Sequence, residues 1–225
     1  MKRILAAIIA AALLLSGCTS ASRPAESAPP TGTPSPSPMP VVTPTPEPEP
    51  ADDELVLVRD YIPGIFIDLK YATTDNFTGR VIYDSDEAYL RYGTVKKLLC
   101  AQNELSGRGL SLKIWDAYRP VSAQFKLWEI CPNPVYVSDP NNGYSKHSRA
   151  NTVDITLVTD TGKSIPMPSG FDDFTSLADR DYSDVSDEAA ENARLLENVM
   201  VENGFVPYSG EWWHYSDSVA YDVYG

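Results

Sequence analysis

The sequence predicts an α+β fold, a small antiparallel sheet with helices packed on it. Three segments alternate apolar and polar residues as strands do: 65–69, 110–116 and 153–157. Apolar residues recur at helical spacing in the segments between and after them. The folded part closes with two short strand-like segments, 205–208 and 212–215, which a turn joins into a hairpin. Strands that alternate with helices and end in a hairpin are typical of this class.

The helices are marked by their apolar stripes and by the residues at their ends. Residues 94–105 carry the first stripe, and Pro120 is suited to the first turn of a helix over 121–130. Ser186 is a favourable N-cap for the last helix, and acidic residues follow it near the positive end of the helix dipole. Gly204 ends that helix.

Residues 1–17 resemble the signal peptide of a bacterial lipoprotein. The basic Lys2 and Arg3 precede an apolar run that is too short to span a bilayer comfortably. The run ends in small residues before Cys18, as in a lipobox. That resemblance implies that Cys18 is lipidated and that the mature protein is exported and anchored to the outer face of the cell membrane. An ordinary secreted leader that is cleaved nearby is the alternative.

Composition divides the remaining chain into a stalk and a domain. Residues 18–53 are rich in Pro, Ser and Thr and have few large apolar side chains, which predicts a disordered stalk. Residues 54–225, about 170 residues, are enough for one domain with its own core. The formal net charge of −13 argues against nucleic acid as a partner and against an electrostatic membrane patch. Membrane contact is therefore expected through the lipid anchor only.

Apart from Cys18, the chain has two cysteines, Cys100 and Cys131. An even pair in an oxidising compartment suggests a disulfide. Both residues fall on predicted helices that flank one strand, so contact between them is plausible. Two reduced, buried thiols are the alternative.

The two histidines of the chain each lie in a short stretch that is typical of half a metal site. His147 precedes Asp154 by seven residues, and Glu211 precedes His214 by three. Two imidazoles and one carboxylate are a common ligand set of catalytic zinc. Strand alternation places Asp154 on the face opposite the aliphatic residues of its strand. Glu211 is left over for proton transfer, although a chance placement of two histidines is the simpler alternative.

Arg119 follows the end of a predicted strand, in the run from Trp115 to Pro120. Hydrolysis of a peptide needs a positive charge beside the oxyanion that develops in the transition state. Arg119 could provide that charge. Its alternative role is a structural ion pair with Asp116.

These stretches resemble the VanX-type D-alanyl-D-alanine dipeptidases, zinc peptidases related to the D,D-carboxypeptidases and to the hedgehog signalling domain. Five segments match in the same order: 68–79, 115–120, 145–154, 166–172 and 211–215. The resemblance implies a hedgehog/D-Ala-D-Ala peptidase-like zinc fold. It also implies one zinc ion per chain, held by His147, Asp154 and His214. Glu211 would be the catalytic base, and Arg119 would stabilise the tetrahedral intermediate.

By the same resemblance, Ser145 and Asp172 hold the two ends of a small peptide substrate, with Asp172 at the ammonium group. Tyr71 lines that pocket. The chain departs from the family pattern at Ala150, where glycine is usual, and in the loop 173–180, which lacks a histidine often found there. Both departures affect the shape of the pocket and leave the predicted metal ligands in place.

The resemblance therefore implies zinc-dependent hydrolysis of D-alanyl-D-alanine or a closely related dipeptide in cell-wall peptide turnover. One alternative is a D,D- or L,D-carboxypeptidase that acts on peptidoglycan stem peptides. Another is a non-catalytic lipoprotein that binds wall fragments. Glu211 argues against the second alternative, because a binding module needs no base.

Overall fold

The computed structural model describes residues 48–225. The predicted signal peptide, the lipidation site Cys18 and nearly all of the predicted stalk lie outside the described residues. Among residues 48–225, no helix is both long and apolar enough to cross a membrane.

The described chain alternates strands and helices, as the sequence predicts. The strands are β1 (Leu55–Leu57), β2 (Phe66–Ile67), β3 (Tyr89–Arg91), β4 (Leu110–Asp116), β5 (Thr152–Thr159), β6 (Phe205–Tyr208) and β7 (Glu211–Asp217). The α-helices are α1 (Val58–Tyr61), α2 (Tyr92–Ser106), α3 (Val121–Ile130) and α4 (Asp187–Glu202). Short 3-10 turns occur at Lys70–Ala72, Lys146–Arg149, Ser176–Ala178 and Tyr182–Asp184.

The main sheet has five strands in the order β2-β4-β5-β7-β6. Its pairs are antiparallel except for β2 and β4, which are parallel. The predicted α+β class with a small antiparallel sheet is confirmed, and the one parallel pair of this sheet lies at its β2 edge. The chain between β2 and β4 contains α2 and returns in the same direction, which is the connection that parallel strands require. A separate two-stranded antiparallel sheet joins β1 to β3.

One face of the main sheet builds the core. The helices α2 and α4 pack against this face. The apolar side chains that β4 and β5 bury on it are Leu112, Ile114, Val153, Ile155 and Leu157. Asp154 and Thr156 alternate with these residues and therefore project from the opposite face. The predicted alternation thus separates the apolar core from a polar face of the same strand.

The predicted helix ends agree with the structure where a cap was proposed. The side chain of Ser186 accepts a hydrogen bond from the backbone N–H of Ala189 and caps α4. Gly204 follows this helix with a φ of +86°, in the left-handed region that favours glycine. The first predicted strand is shorter than expected, since only Phe66–Ile67 pairs with β4.

The expected disulfide does not form between Cys100 and Cys131, which are both free. Cys100 is exposed on α2, where Leu98, Ala101 and Leu105 face the core. Cys131 directly follows α3 and is half-buried against the core. The helical stripe therefore turns the Cys100 thiol to solvent.

Candidate metal centre

His147 is held in one orientation by the backbone around it. It lies in the 3-10 turn Lys146–Arg149, and the hydroxyl oxygen of Ser145 accepts the His147 N–H at 3.3 Å. The turn ends at Ala150, which has a left-handed φ of 58°. His147 Nδ1 lies 2.9 Å from the carbonyl oxygen of Ala117. Because a carbonyl can only accept, Nδ1 carries a proton, and in the neutral ring the lone pair of Nε2 points to the other side of the imidazole.

Sheet register brings the other two predicted ligands to the same point. Asp154 on β5 is paired with His214 on β7. Asp154 Oδ1 lies 2.9 Å from His214 Nδ1, and Asp154 Oδ2 lies 3.2 Å from His147 Nε2. The two imidazole nitrogens are 3.3 Å apart. All three side chains are buried.

This group fits a metal ion. One ligand atom from each of His147, Asp154 and His214 lies within 4.8 Å of the others. Burial alone would raise the pKa of Asp154, but the two imidazoles lower it well below its usual value, so the carboxylate is ionised. A donor set of two imidazoles and a carboxylate matches catalytic zinc. The bond from His147 to Ala117 is the kind of outer contact that orients a zinc-bound imidazole.

Glu211 stands beside the metal group without being part of it. It is the first residue of β7, and its Oε2 lies 3.4 Å from His214 Nδ1. Its side chain is 37% exposed, so solvent can reach it. Burial raises the pKa of Glu211, and the negative charge of Asp154 raises it further. A carboxylate with a raised pKa next to a metal site is suited to general acid–base work.

Arg119 is buried and held from two sides. Its Nη2 donates to Asp116 Oδ2 at 2.6 Å and its Nη1 to Gln124 Oε1 at 2.9 Å. The guanidinium carbon also lies 5.0 Å from the ring centre of Tyr71. The backbone N–H of Arg119 donates to the carbonyl of His147 at 3.2 Å. The ion pair with Asp116 therefore exists, and it fixes the cation in the neighbourhood of the metal group.

The predicted pocket residues Asp172 and Tyr71 are in contact. The hydroxyl of Tyr71 donates to Asp172 Oδ2 at 2.7 Å, and the ring of Phe171 packs edge-on against Tyr71. Asp172 has a φ of 52°, in the left-handed region. Burial raises the pKa of Asp172 to about 7, against the opposing effect of the Tyr71 hydrogen bond. This carboxyl is poised to ionise when a positive group approaches it.

The structure adds residues that the sequence did not indicate. Gln124 holds Arg119 and donates to the carbonyl of Ser138, while Tyr83 donates to Asp116 Oδ1 at 2.5 Å. Tyr83 and Asp116 are 33 residues apart in the chain, and no periodic pattern in the sequence links them. Gln124 is on the inner side of α3, where a polar residue among apolar ones was the available signal.

The fold and the site together define a class. A metal group of two histidines and an aspartate, with a separate glutamate and a buried arginine beside it, is typical of mononuclear zinc peptidases. The chain belongs to the Peptidase_M15 family of D-Ala-D-Ala dipeptidases, whose model matches residues 51–222.

Similar proteins are known from several bacteria. The chain is 39% identical to the D-alanyl-D-alanine dipeptidase of Escherichia coli (strain K12), over 72% of this chain and 83% of that protein. It is 35% identical to the D-alanyl-D-alanine dipeptidase of Enterococcus faecium, over 69% and 87%. A solved structure described as VanYB in complex with D-Alanine-D-Alanine is more distant, with 17% identity and a TM-score of 0.41 over 60% of this chain and 75% of that one.

Proposed function

We propose that this protein uses zinc to hydrolyse D-alanyl-D-alanine or a closely related dipeptide in cell-wall peptide turnover. The observation that carries the proposal is the convergence of His147, Asp154 and His214 on one point, with Glu211 Oε2 3.4 Å from His214. Family membership supports it, and so do the relatives named D-alanyl-D-alanine dipeptidase.

Proton transfer falls to Glu211. Zinc held by His147, Asp154 and His214 would polarise the attacked carbonyl and lower the pKa of the attacking water to about 7. Glu211 takes a proton from that water and then delivers it to the nitrogen of the leaving amino acid. Because its pKa is raised, the Glu211 carboxylate accepts a proton more readily than an ordinary carboxylate and can then return it. Its partial exposure leaves room for water to reach it.

Arg119 supplies fixed positive charge for the developing oxyanion. Asp116 and Gln124 hold its guanidinium before substrate arrives. A preorganised cation in a buried site needs no reorganisation during the reaction, which is why such groups contribute strongly to catalysis. The Asp116 ion pair therefore serves to orient Arg119.

Asp172 and Ser145 are suited to the two ends of a dipeptide. Asp172 has a neutral phenol, that of Tyr71, as its hydrogen-bond partner, so an ammonium group would stabilise its ionised form. The Ser145 oxygen accepts the His147 N–H, and its own proton remains available for a carboxylate. A pocket that binds both the free ammonium group and the free carboxylate of its substrate favours a dipeptidase over a carboxypeptidase.

One comparison of substrates tests this function. The zinc-loaded protein is offered D-Ala-D-Ala, the corresponding L,D and L,L dipeptides and a stem pentapeptide. We expect D-Ala-D-Ala to give the highest kcat/KM. Faster release of D-alanine from the pentapeptide would replace the proposal by a D,D-carboxypeptidase, and binding without cleavage would indicate a wall-fragment-binding protein.

We further propose that the protein is a lipoprotein, exported and anchored through Cys18 to the outer face of the cell membrane. The basic, apolar and small-residue pattern of residues 1–17 supports this. Cys18→Ser should move the protein from the membrane fraction to the soluble fraction or the medium. An unchanged membrane fraction would point to the uncleaved leader as the anchor.

A further inference from the structure

Arg180 lies outside the catalytic group and yet contacts the strand that carries two of its members. It precedes the 3-10 turn Tyr182–Asp184, and its side chain is 11% exposed. Its backbone N–H donates to the carbonyl of Ser209, in the turn between β6 and β7. The loop 173–180 thus ends against the hairpin that presents Glu211 and His214.

The guanidinium of Arg180 binds three main-chain carbonyls of that hairpin. Nε donates to the oxygen of Tyr208 at 2.8 Å. Nη2 donates to the oxygens of Glu211 at 3.1 Å and His214 at 3.2 Å. One nitrogen therefore joins the main chain of the proposed base to that of a metal ligand.

The hairpin is irregular at this place. Pro207 of β6 pairs with Tyr215, but the next residue, Tyr208, pairs with Glu211, so the register passes over residues 212–214 of β7. Pro207 has no N–H to donate. Bulges of this kind redirect side chains and need other partners for their backbone groups. Arg180 donates to the carbonyl of Glu211, directly before the segment that the register passes over, and to that of His214, its last residue.

The remaining donor group of Arg180 is also occupied. Nη1 donates to Glu197 on α4 at 2.8 Å and to the hydroxyl of Tyr215 at 3.2 Å. The guanidinium carbon lies 4.7 Å from the ring centre of Tyr215. With these contacts, all five N–H groups of the guanidinium have a partner. Lysine could not reproduce this planar fork.

We propose that Arg180 is a positioning residue, which sets the separation of Glu211 from His214 by clamping their carbonyls across the bulge of β7. The part of this inference that concerns Glu211 as the base rests on the proposed function. The expected effect of Arg180 on metal binding by His214 does not depend on the substrate. The loss of the clamp should misplace the base and one ligand together, and errors of about 1 Å can lower rates by roughly 100-fold.

The test compares Arg180→Ala and Arg180→Lys with two controls. Glu197→Gln removes the charge of the ion pair to α4 and leaves the three carbonyl contacts. Arg194→Ala removes a neighbouring cation that lies over the ring of Tyr182. For each protein, zinc affinity is measured by chelator competition. The kcat and KM are measured with D-Ala-D-Ala as substrate, and the Tm is measured separately.

In the Arg180 variants, we expect kcat to fall about 10- to 100-fold with KM changed less than threefold. Zinc affinity should fall about tenfold or more, as it does when outer contacts of metal ligands are lost. Millimolar guanidinium should partly restore kcat in Arg180→Ala. Both controls should keep wild-type kcat and zinc affinity, even if Glu197→Gln lowers the Tm.

The proposal would be overturned if the Arg180 variants kept wild-type kcat and zinc affinity. It would also be overturned if Glu197→Gln lost as much of both, because the ion pair to α4 would then be the cause. Should Arg180→Ala not fold, Arg180→Lys carries the comparison. If the wild-type protein cleaved no dipeptide, the proposed function would fail, while chelator competition would still decide whether Arg180 positions His214.

Discussion

Asp154 and His214 face each other across two adjacent antiparallel strands, with Asp154 Oδ1 2.9 Å from His214 Nδ1. They are 60 residues apart in the chain, so the register of β5 against β7 creates this half of the metal group. A shift of one residue would turn either side chain to the core face. The metal group and the sheet are therefore specified by the same strand pairing.

The zinc content should depend on both histidines. We expect the wild-type protein to bind about one equivalent and His147→Ala or His214→Ala to lose most of it, because catalytic zinc needs three protein ligands. Metal analysis after zinc reconstitution measures this. Lys146→Ala, an exposed position in the same turn as His147, is the control and should bind like wild type. A wild-type protein without bound zinc would refute the central claim.

Glu211→Gln should separate metal binding from turnover. The variant keeps the size of the side chain and should retain zinc, but kcat should fall by about 10²- to 10⁴-fold because the general base is gone. Glu202→Gln, on the exposed surface at the end of α4, is the matched control. Near-normal turnover in Glu211→Gln would mean that another group activates the water.

Arg119→Lys should reduce kcat although the positive charge is kept. The ammonium group cannot contact Asp116 and Gln124 as the planar guanidinium does, so the charge loses its fixed position. We expect a loss of about 10²- to 10³-fold, as for the removal of one oxyanion donor. Steady-state kinetics over a range of substrate concentrations separates kcat from KM. Arg108→Lys, at an exposed position just after α2, is the control. A change confined to KM would assign Arg119 to ground-state binding.

Blocking the amino end of the substrate should be costly if Asp172 binds the ammonium group. N-acetyl-D-Ala-D-Ala leaves a buried carboxyl without its partner, so we expect cleavage at least about 100-fold slower than for the free dipeptide. Asp172→Ala should narrow that gap. Equal rates on the blocked and free peptides would favour the carboxypeptidase alternative.

The same pair of substrates should reveal the titration of Asp172. Its pKa is raised to about 7, so the carboxyl is mostly neutral at pH 5.5–6 and ionised above pH 7. The preference for the free over the acetylated dipeptide, as a ratio of kcat/KM values, should therefore rise with pH through about 7. The ratio removes effects that both substrates share, and Asp172→Asn should make it flat. A ratio that already has no pH dependence in the wild type would contradict the role of Asp172.

The sequence alone predicted the strands of the main sheet, its three long helices and the residues of the metal group, whereas β1, α1 and β3 were not predicted. Alternation in 153–157 placed Asp154 opposite the aliphatic residues, and Ser186 marked the start of α4. Such signals are local, since they depend on side-chain period and on backbone groups only a few residues away. The His147 and His214 patterns are also short enough to be seen without a structure.

Tertiary structure alone decided how these segments meet. It made β2 parallel to β4, left Cys100 and Cys131 apart, and joined Tyr83 to Asp116. It also brought Arg180 to the irregular hairpin of β6 and β7. Contacts between residues distant in the chain depend on strand register and on the packing of whole elements, and neither has a period that can be recognised in one sequence.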